Sequence, residues 1–370
     1  MIFSISASAG AGGAPPAVFP RAWLALVAAV AVALPGPVAL AAPASPAGEP
    51  ITVRSTEIPR FDKNSAARRF GALTFVGGLQ FSSFDGRLHG ISAIRLMPGG
   101  ERFVAVTDNG CWITGTIMRD DEGRPTGLAD VAAKPLTDLL GRPIAGKAFG
   151  DAESLAIDPD GTTAAVGFEQ RHRIWAYDLD RLGAARPRNL PLPFPVGELR
   201  ANKGLEMLSV APKASPLRGA MVTVAEHSID AAGNLFAGIV GRGGERGSVF
   251  KVRRDDGWEV SDGDFLPNGD LLLLERRFEG IFSGLGIRIR RIAGGSIRAG
   301  ALVDGPVVFE ADLSDEIDNM EGLDVWQDGA GRTRLTLVSD DNGSFFQRNI
   351  LLEFVWSGET TGGDGRPVGQ

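Results

Sequence analysis

Five times along this chain a polar or small-residue opening leads into a short apolar run, a turn, a second run and an acidic or amide end. The units read H-G-I-S-A-I-R-L-M-P-G-G…F-V-A-V-T-D-N-G from His89, G-D-A-E-S-L-A-I-D-P-D-G…A-V-G-F-E-Q from Gly150, and N-K-G-L-E-M-L-S-V-A-P…V-T-V-A-E-H from Asn202. They continue as S-D-G-D-F-L-P-N-G-D-L-L-L-L-E-R-R from Ser261 and N-M-E-G-L-D-V-W-Q-D-G…L-V-S-D-D-N from Asn319, at a spacing of about fifty to sixty residues. Runs this short, bounded by Pro, Asp, Asn and Gly, are strands joined by tight turns. A repeat of this period, with several strands per unit and almost no helical periodicity, predicts a β-propeller, in which radial packing supplies the core that one sheet lacks. Ring closure then protects the strand edges.

The expectation is therefore an all-β chain forming a single β-propeller, five blades counted from the sequence, with six kept open. The room for a sixth comes from the long stretch Cys111–Lys147 and a spare strand at Ile51–Glu57; Ala72–Phe81 is expected to close the last blade beside Asn349–Trp356. A β-sandwich or a pair of all-β domains is the alternative. The best helical candidate is the short segment around Leu136–Leu140. The single tyrosine leaves aromatic packing to 20 Phe and 6 Trp. Gly 50 and Pro 23 fit a turn-rich domain, and the one cysteine, Cys111, excludes an intramolecular disulfide. A formal net charge of −7 with no long run of Lys or Arg gives no sign of a nucleic-acid partner.

Ahead of the repeats, Arg21 precedes the apolar run Trp23–Leu34, and Ala39-Leu40-Ala41 fits a signal-peptidase site. The reading is a signal peptide at 1–41, a Pro/Ala linker at 42–50, the propeller at 51–357 and a flexible tail at 358–370. The apolar run, broken by Pro35 and Pro37, is short for a membrane span. Uncleaved, it would serve as an anchor; cleaved, it leaves no stable span and a periplasmic or secreted protein.

In a propeller the loops entering the innermost strands gather at one mouth, so polar openings far apart in sequence converge. Asp151, Asn202, Asp264, Asn319 and Asp340 are the candidate metal ligands, and Glu153, Glu206, Glu321 and His89 the candidate catalytic groups. Lys203, inside N-K-G-L-E, and Arg276 are the candidate anion-binding cations. Clustered carboxylates repel unless a cation, a partner base or protonation compensates. Oxygen donors without a His/Cys cluster favour Ca²⁺ or Mg²⁺. The plainer alternative is that these residues cap strands and form Asx-turns. Of the ends of the second strands (Asp108, Asn109, Glu169, Glu226, Glu275, Asp341, Asn342), only those whose strand finishes at the same mouth would join the site. Serine chemistry lacks a G-x-S-x-G elbow, and G-I-V-G-R-G-G-E-R-G at 238–247 lacks the Lys-Ser/Thr of a phosphate-binding loop.

These same residues carry a resemblance. F-V-G-G-L-Q-F (Phe75–Phe81), H-G-I-S-A-I with V-T-D-N-G, F-G-D-A-E-S-L-A (Phe149–Ala156), N-K-G-L-E (Asn202–Glu206), N-M-E-G-L (Asn319–Leu323) and S-D-D-N-G are similar to the exported phytase-like family, labelled for the esterase-like activity of phytase. The likeness covers roughly 51–356. It implies a bacterial-envelope β-propeller, and by analogy with calcium-dependent propeller phytases, acidic residues that hold Ca²⁺ around phosphate. The function expected is hydrolysis of a phosphoester or small ester, with an anionic or ester small molecule as substrate. The alternative is a non-catalytic envelope binding or scaffold propeller.

Overall fold

The computed structural model describes residues 48–144, 146–241, 246–278 and 284–358. They belong to one compact unit, Ala44–Gln370. The expected signal peptide, nearly all of the linker and nearly all of the C-terminal tail lie outside the described residues.

Five sheets form the five blades. Their innermost strands are Ile91–Leu96, Ala152–Ile157, Leu205–Val210, Glu259–Phe265 and Met320–Gln327, each packed against the next, with the fifth returning to the first. Within every blade the chain moves outward by antiparallel hairpins. Among the described residues there is no sixth blade. Cys111–Arg119 and Pro125–Pro135 are the outer strands of the first blade, and Arg54–Ile58 is the outermost strand of the fifth. Closure follows the expected pairing: Leu73–Ser82 lies antiparallel to Asn349–Trp356, with Leu79 opposite Leu351. Strands from the beginning and end of the propeller are thus locked in one sheet.

Second strands such as Arg102–Thr107 (RFVAVT) lose the polar/apolar alternation of a half-exposed strand because both of their faces meet a neighbouring blade. The core is accordingly five inter-blade layers. In the layer between the fourth and fifth blades, Phe61, Phe70, Phe75, Phe309 and Phe354 form edge-to-face contacts, with centroids 4.8 Å apart for Phe61–Phe70 and 5.4 Å for Phe75–Phe354. The lone tyrosine is structural: Tyr177 is buried on Trp112 and donates its hydroxyl to Thr137 O at 2.9 Å.

The segment around Leu136–Leu140 is not helical. Thr137 bridges to Pro143 across a turn in which Asp138 accepts from the amides of Leu140 and Arg142, so local Asx bonding competes successfully with a helix. The one α-helical turn among the described residues is Lys147–Gly150, which delivers Lys147 to the mouth.

Candidate functional site

A β-bulge recurs at the same point of every inner strand. Ile91 and Ala93, Ala152 and Ser154, Leu205 and Met207, Val260 and Asp262, and Met320 and Gly322 pair with consecutive residues of their partners. The residues skipped are Ser92, Glu153, Glu206, Ser261 and Glu321. A bulge frees one side chain from the alternation of the strand and re-aims it. Repeated around the ring, it sets four of these side chains, Ser92, Glu153, Glu206 and Glu321, in the wall of one cavity, while Ser261 stays buried.

A second level comes from the returning strands. A hairpin's second strand ends where its first began, so Asp108, Glu169, Glu226 and Asp340 come back to the same mouth. Their amides donate to Gly90 O (2.8 Å), Asp151 O (2.8 Å), Gly204 O (3.1 Å) and Asn319 O (3.0 Å). In the fourth blade the equivalent position is Arg276, paired with Glu259. The turn into the first blade depends on Gly90, which has φ +75° and whose missing Cβ would collide with the Asp108 carboxylate.

The two levels enclose a cavity of about 310 Å³ in which every lining residue is polar. Asp108, Asp151, Glu153, Glu169, Glu206, Glu226, Glu321 and Asp340 line it, eight carboxylates against the three cations Lys147, Lys203 and Arg276. The cations are already engaged. Arg276 donates to Glu321, to Asn319 Oδ1 (2.9 Å) and to Glu226 Oε1 (3.1 Å). Lys203 donates to Glu259 Oε1 and Oε2 at 2.8 and 2.9 Å and stands 3.5 Å from Glu226, while His227 Nδ1 lies 2.6 Å from Glu259. Lys147 Nζ lies 2.5 Å from Asp108 and 3.3 Å from Asp151.

The excess of acid shifts the carboxyls. Burial, then the charges of Asp151 and Glu169, holds Glu153 well above the usual carboxyl range. Burial likewise raises Glu206, with Glu226, Glu169, Glu153 and Glu321 adding repulsion. Glu169 is pushed up to about 8 by burial, against the pull of the Gly204 amide. Burial raises Glu321 to about 7, with Arg276 opposing and Asp340 reinforcing the shift. Outside the cavity the balance reverses: although burial acts upward, bonds from Lys203 and His227 lower Glu259 to about 2.

Three of these groups, Asp151, Glu153 and Glu169, each place a ligand atom within 4.8 Å of the others. Asp151 is buried and its Oδ1 accepts no hydrogen bond among the described residues. Hard oxygen donors, with Lys147 at 3.3 Å the one cation paired to Asp151 among the described residues, and an excess of carboxylates over cations together suit a divalent cation.

Among the sequence candidates, Glu153, Glu206, Glu321, Lys203, Arg276, Asp151, Asn202 and Asp340 all line this cavity. Three candidates stand apart from its wall. Asn319 lies behind it, donating to Glu321 Oε1 at 2.7 Å while accepting from Arg276. His89 sits on the rim with Nδ1 2.8 Å from Asp341. Asp264 is directed elsewhere: it lies five residues beyond Glu259 on the inner strand, roughly 16 Å at the usual strand rise. There it accepts the Val325 amide at 2.8 Å and the Ser209 hydroxyl. Sequence reasoning missed Lys147 and left Asp108, Glu169 and Glu226 undecided; hairpin parity was the signal that could have placed the carboxylates. Glu275 falls one residue short of that position, opposite Val260, so the same parity turns its side chain away, onto Arg288 and Arg290.

Below the cavity the channel is closed by Arg95. Its guanidinium binds Asp262 through both terminal nitrogens (2.8 and 3.0 Å) and donates to the carbonyls of Leu323 (2.9 Å) and Leu208 (3.0 Å). Asp262 accepts the Leu323 amide and Asp324 the Leu96 amide. One arginine thus ties the inner strands of the first, third, fourth and fifth blades together beneath the site.

A family model described as phytase-like, esterase-like activity of phytase, matches residues 86–343, which contain the cavity-lining residues. No curated protein matches the chain. Solved structures similar to it include hydrazine synthase of Kuenenia stuttgartiensis (13% identity over 73% of this chain and 64% of that one, TM-score 0.36). Others are the PQQ-bound aldose sugar dehydrogenase of Streptomyces coelicolor (13%, 83% and 99%, TM-score 0.38) and the PQQ domain of Coprinopsis cinerea pyranose dehydrogenase (10%, 82% and 98%, TM-score 0.39). Similarities this distant carry no functional inference.

Proposed function

We propose, for a chain that belongs to the phytase-like family, an exported hydrolase that cleaves a phosphoester or small carboxylic ester with the help of a divalent cation, Ca²⁺ by preference. The observation that carries this reading is the Asp151–Glu153–Glu169 cluster inside a cavity whose acid its own paired cations do not balance. Those three residues would hold the ion. When bound, such an ion polarises an ester or phosphoryl oxygen and acidifies a coordinated water.

The chain's own groups do the rest. Arg276, fixed by Glu226 and Asn319, sets the position of the Glu321 carboxyl. Held near neutrality, Glu321 can take or give a proton in the working pH range. Glu206, in the cavity wall and held protonated well above the ordinary range, would donate toward a leaving oxygen. Lys147, at the cavity edge and more than half exposed, is the cation best able to turn toward an entering anion.

Proton and ion compete for one set of oxygens. A carboxyl whose folded pKa is raised stabilises the fold fully below its unfolded value near 4.5 and loses that contribution as pH rises through the folded values of about 7 and 8. Metal-free protein is therefore expected to melt at progressively lower temperature from pH 5 to pH 8. Added Ca²⁺ should restore stability most at the alkaline end, by about 2.7 kcal/mol at a hundredfold excess over Kd, and more effectively than Mg²⁺, whose octahedral demand fits an irregular multi-loop site less well. Melting that ignores both pH and millimolar Ca²⁺, with no metal found by elemental analysis of protein purified without chelator, would remove the cation from this reading.

Export is supported by the Trp23–Leu34 run and the Ala39-Leu40-Ala41 site. Expressed with a bacterial secretion system, the protein should have the intact mass of a chain beginning at Ala42; full-length mass in a membrane fraction would mean an anchor instead.

A further inference from the structure

A cavity whose lining residues are all polar offers little to an apolar part of its ligand, whereas small-molecule sites are usually lined largely by apolar side chains. Apolar surface is nevertheless present just outside it. The loop from Asp341 to Arg348, between the second and third strands of the fifth blade, places Asn342 in the cavity wall and Phe345 and Phe346 at 105% and 96% exposure. Phe84, 98% exposed, lies three residues past Phe81, which pairs with Asn349 where that loop re-enters the sheet. From Phe84 the chain runs through the short turn Gly86–Leu88 to Gly90, whose amide donates to Asp340 at 2.8 Å. Both loops are anchored to each other by His89 and Asp341.

The Phe-Phe tip is held in place. Asp341 accepts from the Gly343 amide (3.0 Å) and from Asn349 Nδ2 (2.8 Å), the Ser344 amide donates to Asp341 O (2.7 Å), and the Phe346 amide donates to Ser344 Oγ (3.2 Å). Two aromatic rings are therefore presented to water by a hydrogen-bonded loop that also builds the cavity wall. An anionic membrane is a poor occupant for them, because the adjoining mouth carries eight carboxylates and the chain a net charge of −7.

We infer that Phe345 and Phe346, with Phe84 on the neighbouring loop, seat the apolar portion of the substrate. The substrate is then amphiphilic: its ester or phosphate head enters the acidic cavity, and an alkyl chain or ring lies on the phenylalanines. This rests on the hydrolase reading and adds the substrate class to it.

Calorimetric binding of methyl phosphate and hexyl phosphate, in buffer with Ca²⁺, tests the inference without requiring turnover. Wild type is expected to bind the hexyl ester at least about tenfold more tightly, as burying several methylene groups would allow. Phe345→Ser/Phe346→Ser should bring the hexyl ester down to the methyl level, and Phe345→Tyr/Phe346→Tyr, which keeps the rings, should retain most of the preference. Equal binding of the two ligands by wild type, or a chain-length preference that survives the serine variant, overturns the inference. Hydrolysis of p-nitrophenyl esters is scored separately. Preference for hexyl phosphate without any turnover keeps the inference and removes the hydrolase; turnover without chain-length preference does the reverse. Binding of neither phosphate overturns both. Co-sedimentation of wild type, but not of the serine variant, with phosphatidylcholine–phosphatidylglycerol vesicles, without chain-length preference, assigns the rings to a lipid surface and overturns it too.

Discussion

Glu321→Gln is expected to lower kcat/KM on p-nitrophenyl phosphate or a short p-nitrophenyl ester by about 10²–10⁴, the usual contribution of a positioned acid or base. The side chain is aimed inward by the bulge between Met320 and Gly322, and it is held by Arg276 and Asn319. Gln keeps the shape and the Asn319 contact and removes only the titrating group. Arg276 retains Glu226, so the fold should persist with a nearly unchanged melting temperature. The pH profile is the decisive readout. With a carboxyl near 7 acting as proton acceptor, wild-type activity should rise through that pH, and this limb should vanish in the variant. Activity within about threefold of wild type, with the limb intact, would move the acid–base role elsewhere, with Glu206 the first alternative.

The second large effect concerns stability. Arg95→Ala should destabilise the protein by about 3–5 kcal/mol in urea unfolding, the usual consequence of removing one partner of a buried ion pair. Asp262 is fully buried, and burial already raises it to about 6 against the pull of Arg95. Asp324 is raised well above the carboxylate range by burial and by Asp264. Without the guanidinium these groups must take up protons or admit water, and the carbonyls of Leu208 and Leu323 lose a donor. Pairing Arg95→Leu with Asp262→Asn and Asp324→Asn should recover much of the loss, since Asn can still accept the Leu323 and Leu96 amides. A loss under about 1 kcal/mol for Arg95→Ala would show that the four blades do not depend on this contact.

Much of this molecule is written locally. The strand-turn-strand repeat, the turns P-N-G-D and Q-D-G-A-G and the partner for Asn349–Trp356 are legible because apolar patterning and turn chemistry act over a few residues. The same short motif also marks Glu153, Glu206 and Glu321 as acids at blade openings, though not the way they face. The count of five was readable; what kept six open was the length of the first blade, whose outer strands Cys111–Arg119 and Pro125–Pro135 absorb residues that looked spare.

Side-chain direction was not legible, because it is fixed by pairing between strands. One skipped residue in each inner strand reverses which neighbour faces the channel, and no local propensity marks that bulge. Asp264 and Glu321 both sit on acidic inner strands, yet one accepts the Val325 amide far along its strand and the other lines the cavity. Glu169 and Glu226 face inward where Glu275 faces Arg288 and Arg290, although all three come near the end of a second strand. The sequence by itself determined a ring of five sheets with acid gathered at one mouth. Only the tertiary structure decided which carboxylates share a cavity, because charges remote along the chain interact through the register and direction of strands that close into a ring.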